Sequence, residues 1–221
     1  PCSRIWATRL KEATDMIFDA LALVSLLTVI TMIRRLVGIF PSIMSCMVRW
    51  KENLALQHSL RTRTDRDIFA TAMLVPFVLT AYRFRMYCPD FMQGMNEDAR
   101  LGLTFAVFAA YIALRVACKY TFRIHKTPNS TYETATDSVK TYFVILTILM
   151  MVTGGISSLT DAPLAHIRTA MFWISGAMYI VFLVRKSQIF HSSCSLFVTF
   201  LYLCALEILP TGVLIASAVI F

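Results

Sequence analysis

At 221 residues, 57% hydrophobic and only 15% charged, with a mean hydropathy of +0.66, the chain is too apolar for an ordinary soluble domain, which is nearer half apolar and a quarter charged. Its apolar residues come in continuous blocks, longer than the alternating strands of an outer-membrane barrel, so the composition predicts an all-α fold, a polytopic transmembrane helical bundle. The net charge of +8 would suit nucleic acid, but the basic residues cluster beside the apolar blocks, where cytoplasmic loops of membrane proteins are basic, so nucleic acid is not expected as a partner.

Six spans are expected, at 16–33, 68–87, 101–118, 139–159, 169–184 and 195–221, forming one integral membrane domain over 1–221. The chain opens on Pro1 with no initiator Met, so further N-terminal sequence is expected before it. Asp19 falls in the first turn of span one, where a helix N-terminus tolerates negative charge. Between spans one and two, Pro41 suits a first helical turn. From there to residue 64, Ile43, Met47, Trp50, Leu54 and Leu60 share one side, while Arg49, Lys51, Glu52 and Arg61 favour the other. This pattern predicts a basic amphipathic helix at 41–64 on the cytoplasmic surface, anchored by Trp50, Arg49 and Lys51. A helix packed under the bundle fits the same spacing equally well.

Pro76 is expected to kink span two. In span three, Gly102, Ala106, Ala110, Ala113 and Ala117 recur at helical spacing, a stripe of small residues that permits close helix packing. The polar stretch 119–138 is read as a cytoplasmic loop; its Asn129-Ser130-Thr131 matches a glycosylation acceptor by chance, on the wrong side of the membrane. Gly154-Gly155 is expected to loosen span four, and Gly212 and Ala216 repeat the small-residue spacing in span six. Loops one–two, three–four and five–six carry fourteen Lys and Arg, against seven on the other side. The positive-inside rule therefore places those loops in the cytoplasm and both termini outside, in the periplasm for a bacterial inner membrane.

One residue stands out. Glu207 lies in the middle of the last span, where a carboxylate costs about 2.5–3.5 kcal/mol on insertion scales. Three residues on, Pro210 has no N–H for the carbonyl of Leu206, so charge and helix break are expected to coincide. Such a carboxylate serves an ion site, pairs with a partner subunit, or is held by a Tyr, Thr or Arg of a neighbouring helix. Arg115, the one Arg well inside span three, is close enough to its cytoplasmic end to snorkel, and that is the expectation. None of the four histidines falls inside a span, no cysteines form a CxxC pair, and His191 with Cys194 is too little for a metal site. No P-loop, HExxH or GxSxG is present. No catalytic residue, metal or cofactor is therefore expected.

The segment FLYLCALEILP, residues 200–210, resembles the C-terminal signature of an uncharacterised family of Bacteroidota inner-membrane proteins, domain of unknown function 4271. Tyr202, Cys204, Leu206, Glu207, Ile208 and Pro210 carry the resemblance, and the basic segment around Arg49–Arg66 and the hydrophobic layout look similar. The resemblance implies an inner membrane and a lineage-specific role, with no known activity. By association it suggests an accessory to that lineage's secretion and motility apparatus.

Three functions follow. The first is a non-enzymatic inner-membrane subunit that binds or scaffolds other envelope proteins, with the lipid bilayer and those proteins as partners. The site would then be a helix-pairing group of Glu207, Pro210, Tyr202 and Arg115. The second is a small proton- or ion-coupled transporter centred on Glu207 and the Pro210 break. The third, an enzyme acting on lipid through His125 or His191, lacks any supporting base, nucleophile or metal spacing.

Overall fold

The computed structural model describes residues 19–31, 37–38, 41, 60–92, 94–121, 129–160, 163–191 and 195–220. Among them there are helices and no strands. We label the helices α1 (Asp19–Thr31), α2 (Leu60–Ala72), α3 (Leu74–Arg83), α4 (Glu97–Thr121), α5 (Asn129–Leu159), α6 (Leu164–His191), α7 (Leu196–Leu203) and α8 (Leu209–Ile220), with a π-helical turn at Cys204–Ile208 joining the last two. Four stretches are long and apolar enough to cross a membrane: Glu97–Thr121, Asp137–Leu159, Leu164–His191 and Leu196–Ala218. They correspond to spans three to six. α1 is a shorter apolar helix in span one, and α2 and α3 together occupy span two. The expected interfacial helix at 41–64, with its anchors Arg49, Trp50 and Lys51, lies outside the described residues apart from Pro41 and the start of α2.

The break between α2 and α3 falls at Met73, three residues before Pro76. Pro76 has no N–H for the carbonyl of Ala72, while the flanking bonds survive: Met73 N–H to Phe69 C=O at 2.9 Å and Phe77 N–H to Met73 C=O at 3.1 Å. One missing bond interrupts the helix without unravelling it. α3 then ends in a Schellman motif, with Met86 N–H donating to Ala81 C=O and Arg85 N–H to Tyr82 C=O.

The bundle is built on antiparallel α5 and α6. Their shared apolar clusters run in opposite directions along the two helices: Ala135 with Ile189 and Phe190, Tyr142 with Phe182, and Met150 with Met171. α7 and the π turn join the first cluster through Tyr202 and Leu206, and α4 through Cys118. Large apolar side chains cover the outside, among them Trp173, Phe197, Phe200 and Ile215, as a lipid-facing surface requires.

Two expectations fail here for physical reasons. The polar stretch 119–138 is not a continuous loop: α4 continues to Thr121 and α5 starts at Asn129. Within α5, one of its acids is paired in the bundle. Asp137 is buried against Arg66 of α2 at 3.3 Å and Lys140 at 3.1 Å, and Lys140 also reaches Asp67 at 2.9 Å. Gly154-Gly155 does not loosen α5, which runs unbroken to Leu159. Gly154 instead makes room for a ring: a Cβ there would lie 2.9 Å from Phe84 Cε2, while at Gly155 it would meet nothing.

The two glycines should therefore respond oppositely. Gly154→Ala is expected to destabilise the protein by about 1 kcal/mol as Phe84 is pushed out of its packing. Gly155→Ala should stabilise by about 0.5–1 kcal/mol through helix propensity. Thermal melting of the two variants in one detergent tests this, and equal shifts would remove the packing role of Gly154.

Candidate functional site

Three helices bring charges to one buried point. Glu207 sits in the π turn and is 2% exposed. A regular α-helix here would set the Pro210 ring against the carbonyl of Leu206. The wider turn relieves this, with Leu209 N–H donating to Cys204 C=O five residues back. The helix is therefore not broken at Pro210, as the sequence suggests, but widened just before it. A π turn holds an extra residue, which changes the face that the following side chains present.

The Glu207 carboxylate contacts two cations. Oε2 accepts from Arg115 Nη2 of α4, and Oε1 accepts from Lys186 Nζ of α6. Arg115 does not snorkel outward; it turns inward from the side of α4 that also buries Leu101, Thr104 and Cys118. Lys186 is as buried as its partner, at 2% exposure. The Phe182 ring lies near both cations, with Arg115 Cζ 5.8 Å and Lys186 Nζ 5.6 Å from its centroid. Phe190 offers Lys186 a second ring face at 5.9 Å. These π faces give both cations favourable electrostatics where water is scarce. The cluster nonetheless holds two positive charges and one negative.

Tyr202 is buried on the preceding turn and packs its ring against Phe190, with centroids 5.2 Å apart. It thereby fixes the wall beside Lys186. Further along the last helix, the hydroxyls of Tyr111 and Thr211 meet at 3.4 Å, and those of Tyr87 and Ser217 at 3.1 Å. These contacts tie α8 to α4 and to the segment after α3.

Sequence reasoning singled out Glu207 and Arg115, though it expected Arg115 to snorkel, and it missed Lys186, which falls after the expected end of span five. The signal was present. Met178, Phe182, Lys186 and Phe190 are spaced by four and are all buried on α6, so the apolar stripe continues past the lysine to a helix end at His191. Ending the span at Val184 hid it. The Arg66, Asp67, Asp137 and Lys140 group was missed too, because its members are far apart in sequence and individually ordinary.

Comparison with protein-family models, with characterised proteins and with solved structures gave no match.

The arrangement can hold three helices together, and its charge imbalance makes a test. Glu207→Gln leaves two cations facing each other without a carboxylate, one of them fully buried, and should cost about 3–5 kcal/mol. Lys186→Met removes the surplus cation, keeps Arg115 on Glu207, and should cost much less. Unfolding by SDS titration gives both values. If Lys186→Met proves as damaging as Glu207→Gln, the surplus-charge account is wrong.

Proposed function

We propose that the chain is a six-span subunit of a bacterial inner membrane that binds or scaffolds other envelope proteins and has no enzymatic chemistry of its own. On this reading α1, the α2–α3 pair, α4, α5, α6 and the α7–α8 pair are the spans, and both termini are periplasmic. One observation carries the proposal. Gly102, Ala106, Ala110, Ala113 and Ala117 of α4 are all exposed, on the side of the helix away from Leu101, Thr104 and Cys118. Only 17% of the apolar stretch of α4 is buried within the chain, the least of the four long helices. Between helices in lipid, close backbone approach over small residues is a principal source of attraction. Among the described residues none packs over that face. Gly212 and Ala216 of α8 are exposed in the same way.

The resemblance of FLYLCALEILP to the Bacteroidota inner-membrane family supports the same membrane and an accessory role in a secretion or motility assembly. A proton- or ion-coupled transporter is the weaker reading, because both Glu207 oxygens are engaged by cations of the chain itself. The geometry of Glu207 serves internal cohesion, and partner binding falls to the outer face of α4.

Purification in mild detergent from the native membrane should enrich a partner with the chain. Ala110→Leu and Ala113→Leu should reduce that enrichment several-fold while leaving the melting temperature unchanged, since neither site packs inside the chain. A chain that runs alone in the detergent, or a partner retained equally by both variants, counts against the proposal.

A further inference from the structure

We propose that the end of the bundle where α3, α4, α5 and α6 meet binds a phosphate group. A cavity of about 540 Å³ opens there; among the described residues lining it are Arg83, Arg85 and Arg100, with Glu97 the one acid. Among those described residues, three guanidinium groups stand against one carboxylate. Arginine presents its donors in a planar fork that suits the oxygens of a phosphate.

These donors are available. Among the described residues Arg83 and Arg85 make no ion pair. Arg100 reaches Glu97 Oε1 only at 3.9 Å and the Tyr82 hydroxyl at 3.5 Å, and its Nε is buried with no hydrogen-bond partner. Its guanidinium stacks 5.1 Å from the Tyr82 ring centroid, which holds it at the cavity wall. Ser157 and Ser158 also line the cavity, but their hydroxyls donate to the carbonyls of Gly154 and Gly155, so the arginines are the donors that remain. Glu97 and Leu164, the first residues of α4 and α6, sit in the same wall as the last turns of α3 and α5, so the partial charges of the helix ends offset one another and the arginines carry the positive charge.

A second observation is independent of the cavity. Arg85 has φ 50°, the one positive φ of a non-glycine residue among those described. It occupies the left-handed position of the Schellman motif after α3, where glycine is the usual residue and a side chain is strained. The chain thus keeps an arginine, at a conformational cost, where its side chain lines this cavity. Leu164 and Phe84 add apolar surface beside the arginines. That pairing suits the headgroup of an anionic lipid as well as free phosphate.

The test uses the full chain in detergent. Its melting temperature is compared in inorganic phosphate against chloride at equal ionic strength, and in mixed micelles with phosphatidylglycerol against phosphatidylcholine. Stabilisation by phosphate supports a site open to the soluble anion, and stabilisation by phosphatidylglycerol alone supports a lipid headgroup site. In either case Arg100→Gln should weaken binding about tenfold. Arg85→Gly should weaken it comparably while raising the ligand-free melting temperature, because glycine relieves the left-handed strain. That opposite pair of effects separates lost recognition from lost folding. The proposal is overturned if neither phosphate nor phosphatidylglycerol shifts the melting temperature, or if both variants bind as the parent does. Partner capture is not read, so failure here leaves the scaffold proposal standing.

Discussion

The pairing of Glu207 with Arg115 and Lys186 is the constraint on which the arrangement of α4, α6 and the last helix depends. In a low-dielectric interior none of the three charges is tolerable alone, and each becomes so only when the others are in contact. A small slide of one helix past another would strand a cation beside phenylalanine rings. Apolar packing between spans has no such penalty for slippage, since lipid tails are as apolar as leucine. The charges therefore supply what the surrounding Phe182, Phe190 and Leu206 cannot, a single register for three helices that would otherwise pack in several ways.

The π turn follows from the same requirement. Pro210 forbids an ordinary α-turn before it, and Glu207 lies within the widened segment. A proline that costs one backbone bond also lets the carboxylate reach two helices at once. The other buried charge group works differently. Arg66, Asp67, Asp137 and Lys140 balance two cations with two carboxylates, at the junction of α2 with the start of α5. That balance suits a joint with no further task. The Glu207 cluster, with its surplus cation, depends more heavily on its one acid.

What could be read from the sequence depended on whether a residue's meaning was local. Glu207 stood out because its neighbours on both sides are apolar, and the kink at Met73 was legible because Pro76 acts on the carbonyl four residues before it. The small-residue stripe of α4 was legible as spacing, but only the packing of the bundle shows that the stripe faces outward. Lys186 was hidden because a lysine near the end of an apolar run reads as a loop residue, and nothing nearby reveals a carboxylate 21 residues later. Asp137 was hidden in a similar way: its i,i+3 pairing with Lys140 reads as an ordinary surface pair, and its second cation, Arg66, lies on α2. The inward turn of Arg115 is likewise a long-range fact: snorkelling is the better choice for a lone arginine, and pairing wins only once Glu207 is beside it.

These placements also alter the charge argument for orientation. Arg66, Arg115 and Lys186 leave the cytoplasmic count, because each is paired inside the bundle. Arg83, Arg85 and Arg100, nearly half of the seven basic residues assigned outside, gather in one cavity. A positive residue on the outer side runs against the bias that orients membrane proteins, so three in one place call for a reason other than topology. If they are held there to bind a phosphate, they too leave the count. The comparison then stands at eleven against four instead of fourteen against seven. The phosphate cavity and the proposed orientation thus strengthen each other, since residues that blur the orientation are the ones the cavity explains.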